Sequence, residues 1–179
     1  MEQRFGFFNP RILQRAATLR RAFVRGVCPL AGLVLAAVLA SACRPDAAAF
    51  SYAATPVDGW QPTDTLRFPV DSLREEGSYS LTLGVRTSTS VPYPYRSLTL
   101  RVCQHWQCPD TVLCDTVCVP LTDEQGNPAG RGITLYQLEQ PFARHSFRTG
   151  QRGEIRISHL MRAGLLQGIE SVGVRVERE

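Results

Sequence analysis

The stretch SLTLRVCQHWQCPDTVLCDTVCVPL, residues 97–121, decides the fold of this chain. In its first part apolar and polar residues alternate, which places Leu98, Leu100 and Val102 on one face of an extended strand. After the turn signal Pro109-Asp110, a second run has a shared apolar face that Asp115 interrupts: Leu113, Val117, Val119 and Leu121. Two such runs around a short turn predict an antiparallel β-hairpin.

Five further segments are strand-like in length and composition: TLRFPV (65–70), YSLTLGVRT (79–87), GITLYQLE (132–139), GEIRISHL (153–160) and VGVRVER (172–178). Turn signals rich in Gly, Pro and Asn stand between them. With the hairpin they give seven strands over about 120 residues, which is typical of one sandwich domain. We therefore expect an all-β fold, a single antiparallel β-sandwich of seven or eight strands.

The N-terminal segment has the layout of a secretory signal. Residues 1–26 carry six arginines and one acid, and the sixteen residues from Val27 to Ala42 carry no charge. A membrane span needs about 20 apolar residues, whereas a shorter run behind a basic segment is typical of a signal peptide. The run ends in LASAC, residues 39–43, which resembles a bacterial lipobox, whose cysteine is acylated and becomes the mature N-terminus.

The sequence thus predicts three parts. They are a lipoprotein signal peptide at 1–42, a lipid anchor and tether at 43–55 that begins with lipidated Cys43, and the β-sandwich domain at 56–179. Residues 44–55 are alanine-rich and lack an apolar period, as a tether would. Two alternatives remain open, namely an uncleaved anchor helix and a plain signal peptide in which Cys43 has no role.

Removal of the signal leaves a nearly neutral chain. The full sequence has 20 basic and 16 acidic residues, of which six and one lie in residues 1–42, so 14 and 15 remain. Without the arginines of the signal, the remaining chain has no excess of basic residues to form a face for nucleic acid. We expect the partners to be the lipid bilayer, reached through N-terminal acyl chains, and other proteins, and not nucleic acid.

The hairpin carries four cysteines, Cys103, Cys108, Cys114 and Cys118. An exported domain meets an oxidising environment, in which thiols persist as disulfides. The spacing C-x4-C-x5-C-x3-C suits a zinc site poorly, and a redox C-x-x-C is absent. We therefore predict two disulfides, with reduced or partly paired thiols and a metal site as the alternatives that remain open. A turn at Asp110 gives the nested pairs Cys103–Cys118 and Cys108–Cys114, whereas a one-step change of register favours Cys103–Cys114.

The sequence contains no recognisable catalytic motif. The histidines, His105, His145 and His159, are isolated from one another, and no nucleophile elbow, zinc-protease or P-loop pattern occurs. We expect no enzyme activity, no cofactor and no metal site. Four aromatic residues could line a sugar-binding face, although positions in the core and at the edges of a sandwich are the favoured interpretation: Trp60, Tyr93, Tyr95 and Trp106.

Several segments, in their order and spacing, resemble a known family. They are DGW (58–60) followed by TDTLRFPV, then DTVCVPLTDEQGNPAGRGI, LYQLEQPF and the closing LLQGIESVGVRVER. With the lipobox cysteine, they are similar to the GldH family of gliding-motility lipoproteins of Bacteroidota over nearly all of residues 50–179. The resemblance implies a lipid-anchored envelope protein that is needed for gliding and linked to type IX secretion, with no catalytic residues to transfer. Relatives also occur in bacteria that do not glide, so gliding is not implied for this organism.

Two functions remain open at this point. The favoured one is a non-catalytic component of the cell envelope that acts through protein–protein contacts, at an edge strand or at the cysteine hairpin. The alternative is a surface glycan-binding lipoprotein. Surface export in Bacteroidota often follows an acidic run after the lipidated cysteine, and residues 44–47 hold a single acid. We therefore expect a lipid anchor in the cell membrane or outer membrane, with the domain facing the periplasm.

Overall fold

Eight β-strands follow one another along residues 47–179, the part of the chain that this computed structural model describes. They are β1 (Ala47–Ala54), β2 (Leu66–Val70), β3 (Gly77–Ser88), β4 (Ser97–Gln107), β5 (Thr111–Pro120), β6 (Leu135–Phe147), β7 (Arg152–His159) and β8 (Ile169–Arg178). The predicted signal peptide and Cys43 lie outside these residues. Within them there is no helix of the length and hydropathy that a membrane span requires.

The strands form two four-stranded antiparallel sheets. The first sheet has the order β1-β8-β3-β6 and the second has the order β2-β7-β4-β5. The inner faces of both sheets supply one core, in which side chains such as Leu81, Val85, Leu100 and Val102 are fully buried. Burial of each such side chain stabilises the fold by about 2 kcal/mol relative to exposure. The prediction of an all-β antiparallel sandwich is confirmed.

The seven predicted strands correspond to β2 through β8, and β6 is the one that differs most. It extends to Phe147, well past the predicted end at residue 139. Pro141 argues against a strand on sequence grounds, but β6 is an edge strand, where a missing N–H is tolerated. The register also shifts opposite Leu81 and Thr82, so a β-bulge accommodates the segment after Pro141.

The first strand is an addition to the predicted set, and the prediction of a tether is wrong for residues 47–54. These residues pair with β8 from Ala47 opposite Glu177 to Ala54 opposite Ser171. Alanine is a poor strand former, but tertiary packing overrides such weak preferences. An edge strand that contributes one aromatic anchor can therefore be alanine-rich.

That anchor is Tyr52, whose ring lies across two glycines of the neighbouring strands. Gly173 of β8 is paired with Tyr52, and Gly84 of β3 is paired with Gly173. A Cβ atom at Gly173 would lie 2.7 Å from the tyrosine ring, and one at Gly84 would lie 2.1 Å from its hydroxyl oxygen. The guanidinium of Arg86 covers the ring, with its Cζ 3.8 Å from the ring centroid. Tyr52 thus fixes β1 across three strands.

The up-and-down course of the chain gives the sandwich two distinct ends. We call one the Ala47 end: it holds the start of β1, the C-terminal end of β8 and the β4–β5 turn at 108–110. We call the other the Ala54 end: it is built from the four connections 55–65, 89–96, 121–134 and 160–168. All four of those connections meet at the same end because every pairing in both sheets is antiparallel.

Candidate functional site

The cysteine hairpin forms one disulfide, between Cys103 and Cys114. These two residues are directly opposite each other in the pairing of β4 with β5. The nested pairing is therefore wrong, and the pairing of the alternative register is the one observed. The reason is the turn, because Trp106 pairs with Thr111 and this centres the turn on Cys108-Pro109 instead of Asp110.

Cys108 and Cys118 carry free, exposed thiols, so the prediction of a second bridge is wrong. Cys118 is paired with Thr99, nine residues before Cys108 along the hairpin. At a strand rise of about 3.3 Å per residue, the two thiols are about 30 Å apart. A disulfide between them within one chain is therefore excluded by geometry.

The strand that carries Cys114 and Cys118 is an open edge of the second sheet. The carbonyl of Thr99 accepts a hydrogen bond from Leu160, on the β7 side of β4. Backbone groups of every second residue in a strand point to the same side, so the N–H and C=O groups of Cys103, like those of Thr99, point toward β7. Cys103 and Cys114 are therefore a non-hydrogen-bonded pair in the pairing of β4 with β5. The N–H and C=O groups of Cys114, Thr116 and Cys118 then point away from β4, at the free edge, where a partner strand could bind them.

An open groove of about 1050 Å³ lies on the outer face of the second sheet, near the β4–β5 turn. His105, Glu154 and Arg156 are among the residues that line it. Glu154 is ion-paired with Arg156 and lies 3.8 Å from a guanidinium nitrogen of Arg67. The Glu154 carboxylate is thus neutralised by two arginines and is not arranged as one of a pair of acids for acid–base chemistry.

The three histidines do not come together. Among residues 47–179, no group of three or more His, Cys, Asp or Glu side chains is placed to hold a metal ion. His159 is buried, and its Nε2 lies 3.0 Å from the carbonyl oxygen of Trp60. Burial lowers the pKa of the His159 imidazole below its ordinary value. This histidine is a packed internal residue that connects β7 to the 55–65 segment.

Of the aromatic residues considered for a sugar-binding face, Trp60 and Trp106 are in the core, at 0% and 3% exposure. Tyr93 is half-buried and donates a hydrogen bond from its hydroxyl to the carbonyl oxygen of Ser97 over 3.0 Å. Burial raises the pKa of the Tyr93 phenol above its usual range. Only Tyr95, which packs edge-on against Tyr93, is exposed. The four rings do not form a common exposed face.

Exposed apolar side chains concentrate at the Ala54 end. In the described part of the chain ten large apolar residues are exposed, and seven of them lie at this end: Val57, Val91, Tyr95, Ile133, Leu135, Leu160 and Leu165. Val57 and Ile133 are almost fully exposed, at 102% and 92%. Single exposed apolar residues are ordinary on protein surfaces, whereas a concentration of them at one end is a candidate interaction site. We call these seven residues the apolar end.

Backbone hydrogen bonds join the four connections into one surface. Trp60 and Leu166 exchange two bonds of 2.8 Å, which link 55–65 to 160–168. The N–H of Ser88 donates to the carbonyl of Gly168 over 3.0 Å, at the start of the 89–96 connection. The side chain of Thr89 donates to the carbonyl of Thr134 over 2.7 Å, which brings in the segment with Ile133. The apolar end is therefore held in place by the sheets beneath it.

Sequence patterns do not identify this surface, because six of its residues come from four separate connections and the seventh, Leu135, begins β6. One signal is present, since Val57 and Ile133 are β-branched apolar residues within turn-rich segments, TPVDGW and GRGITL. In such segments an apolar side chain is not needed for the turn itself. Ile133 falls within the predicted strand 132–139, but β6 begins two residues later, at Leu135.

The family model described as GldH lipoprotein matches residues 48–176. No curated protein sequence is similar to the chain. Among solved structures, the chain is similar to an uncharacterized protein from Listeria monocytogenes EGD-e, at 16% identity and a TM-score of 0.37, over 72% of this chain and 10% of that one. It thus spans about a tenth of the length of that protein. It is also similar to the Eiger TNF from S. frugiperda, at 10% identity and a TM-score of 0.31, over 73% of this chain and 92% of that one.

Proposed function

This chain belongs to the GldH lipoprotein family, and from that premise we propose that it is a non-catalytic component of the cell envelope that acts through protein–protein contacts. Membership of a lipoprotein family implies a protein anchored to a membrane. In the proposal the anchor is acylated Cys43, the domain faces the periplasm, and the partners are envelope proteins of the gliding-motility and type IX secretion apparatus.

The observation that carries this proposal is the apolar end. Seven exposed apolar side chains, six on a hydrogen-bonded set of connections and one at the start of β6, are what a protein partner would bury on binding. An interface core of this kind is typically apolar, with polar residues at its rim. The exposed polar residues of the same connections, such as Asp123 and Glu124, would supply that rim.

The open edge of β5 is a second possible contact surface. Its free backbone groups could accept a partner strand, as edge strands do in strand-addition complexes. Charged residues often protect such edges from pairing, and Asp115 is the only charged residue in β5. The test of the proposed function should therefore sample both surfaces separately.

We would place a photo-crosslinking amino acid at one exposed position of each surface in the full-length protein, expressed in its own cells. Ile133 samples the apolar end, Thr116 samples the β5 edge, and exposed Thr149 at the Ala47 end is the matched control. We expect irradiation to join Ile133 to a component of the secretion or motility apparatus, identified by mass spectrometry, with little product from Thr149. Crosslinked products from Thr116 alone would show that the contact lies at the β5 edge and not at the apolar end.

The same cells test the rest of the proposal. Deletion of the gene should reduce secretion of type IX cargo, and should reduce spreading where the organism glides. Cys43→Ser should abolish acyl labelling and release the domain from the membrane fraction. Crosslinks only to glycan-processing proteins, with cargo secretion unchanged by the deletion, would contradict the proposed function.

A further inference from the structure

We infer that the Ala47 end of the sandwich rests against the surface of the lipid bilayer, so that the apolar end points away from the membrane. This inference rests on the acylation of Cys43 that is part of the proposed function. It adds an orientation, which membership of a lipoprotein family does not supply. The partner is the lipid surface, and the Ala47 end contacts its polar headgroup layer.

The first reason is the length of chain between the anchor and the fold. β1 begins at Ala47 and is paired with β8 from its first residue, so only Arg44, Pro45 and Asp46 separate it from Cys43. A fully extended chain spans at most about 3.6 Å per residue, so Ala47 lies within about 14 Å of an acylated Cys43. Ala54 is seven residues further on, about 23 Å along the strand. The inverted orientation, with the apolar end on the membrane, would hold Ala47 further from the bilayer than this reach allows.

The second reason is that β1 cannot lengthen the tether by leaving the sheet at low cost. Tyr52 lies over Gly173 and Gly84 and is covered by Arg86. Peeling β1 away would expose this ring and would break the backbone pairing with β8 from Ala47 to Ala54. The folded domain therefore begins at Ala47 in the anchored protein also.

The third reason is that the Ala47 end exposes many charges and few large apolar residues, whereas the Ala54 end, which also exposes charges such as Asp123 and Glu124, carries seven of the ten large exposed apolar residues of the described chain. The Ala47 end exposes charged residues of both signs: Asp71, Arg74, Glu75, Glu76, Asp110, Arg144, Arg148, Arg152, Arg178 and Glu179. Some of these charges pair with one another, as Arg144 does with Glu179 at 2.9 Å. Such a surface matches a headgroup layer, which carries phosphates and cationic groups, and arginine near anionic lipid is favourable. The large exposed apolar residues, by contrast, are concentrated at the opposite end.

The chain carries its own pair of probes for this orientation. Cys108 is in the β4–β5 turn at the Ala47 end, and Cys118 is near the end of β5, close to the Ala54 end. Both thiols are free and exposed, whereas Cys103 and Cys114 are joined to each other. Two variants, Cys118→Ser and Cys108→Ser, each leave one thiol for a donor dye, so the dyes report on the two ends of one hairpin.

The experiment uses the acylated mature lipoprotein, residues 43–179, labelled without reductant. It is added to preformed vesicles of phosphatidylethanolamine and anionic phosphatidylglycerol that carry an acceptor dye on a small fraction of the headgroups. We expect energy transfer to the membrane to be severalfold greater from Cys108 than from Cys118, because transfer falls steeply with distance. Equal transfer from both thiols would mean that the sandwich lies on its side and would overturn the inference. Greater transfer from Cys118 would overturn it also.

An insertion variant tests whether the short connection sets the orientation. A long flexible Gly–Ser segment placed between Asp46 and Ala47 should lower the transfer from Cys108 and remove most of the difference between the two thiols. A difference that survives this insertion would contradict the role given to the tether. Failure of the lipid anchor is separately visible, since mass spectrometry would then show no acyl chain and the protein would not bind the vesicles at all. That result would contradict the proposed anchoring and, with it, the orientation.

Discussion

The buried imidazole of His159 donates a hydrogen bond from Nε2 to the carbonyl oxygen of Trp60, over 3.0 Å. Its other nitrogen, Nδ1, accepts a hydrogen bond from the backbone N–H of Met161 over 3.3 Å. With both nitrogens used in this way, the ring is neutral. A second proton would turn Nδ1 into a donor that faces another donor. The contact joins the end of β7 to the connection that contains Val57, one of the seven residues of the apolar end.

We therefore predict that the domain loses stability on acidification. Because burial lowers the pKa of folded His159 below the value of about 6.5 expected in the unfolded chain, its contribution is fully present above pH of about 6.5. This contribution is lost as the pH falls through that value toward the folded pKa. Below the folded pKa the loss is complete and stability no longer changes through His159. The free energy of unfolding, measured with urea across this pH range, should decrease in the wild type and in His105→Asn. In His159→Asn the decrease should be smaller, and an identical slope in both variants would contradict the prediction.

The second prediction concerns the thiols. Of Cys103, Cys108, Cys114 and Cys118, the purified domain should show two that react with a thiol reagent and two that do not. Loss of a bridge that closes a loop of this size destabilises the fold by about 3 kcal/mol through chain entropy. The double variant Cys103→Ser/Cys114→Ser should therefore melt at a lower temperature than the wild type.

The matched control for that variant is Cys108→Ser/Cys118→Ser, which should melt like the wild type because both side chains are exposed and unbridged. Four unreactive cysteines, or equal melting of the two double variants, would show that the pairing differs from Cys103–Cys114.

The third prediction concerns the attachment of β1. In Gly173→Ala the new Cβ would lie within 2.8 Å of three ring atoms of Tyr52, including Cγ, which is close to the backbone and has little freedom to move. Overpacking of this kind costs about 1–3 kcal/mol. Amide hydrogen exchange in Ala47–Ala54 should become faster. Gly164→Ala is the control, because nothing lies within 4 Å of the position that its new Cβ would take, and exchange in β1 should not change.

The fourth prediction separates binding from stability at the apolar end. Ile133 is 92% exposed, so Ile133→Glu should change the free energy of unfolding by less than about 0.5 kcal/mol. The same substitution should reduce capture of the partner by the full-length lipoprotein, since a carboxylate would be desolvated in an apolar contact. Thr149→Glu at the opposite end should leave both quantities unchanged. Capture that is undiminished in Ile133→Glu would exclude this residue from the contact.

Local sequence patterns are sufficient to predict most of the fold. In β3 and β4 the alternation of apolar residues such as Leu81 and Leu83, or Leu98 and Leu100, reports directly which side faces the core. In β1 that signal is absent, because alanines occupy the inward positions and the decisive contact is Tyr52 with two glycines more than thirty residues away. This strand is not predicted because the contacts that fix it come from residues far away in the sequence, and not because its local conformation is unusual.

The register of the cysteine hairpin is mispredicted for a different reason. A pairing between strands changes by whole residues when the turn moves, so a small error in placing the turn exchanges disulfide partners. Pro109-Asp110 is a sound turn signal, yet the turn is centred between Cys108 and Pro109. The apolar end could not be predicted at all, since Val57 and Ile133 come to lie on one surface only after both sheets have formed.

The direction of β1 also decides how the domain would respond to mechanical force. A pull between a lipid anchor at the start of β1 and a partner held at the far end acts along the axis of this strand. It loads the pairing with β8 in shear, so the hydrogen bonds from Ala47 to Ala54 resist together instead of opening one after another. The ring of Tyr52, set across Gly173 and Gly84, adds a steric stop to sliding. In the proposed orientation, the sandwich would transmit tension from the membrane to a partner bound at its outer end.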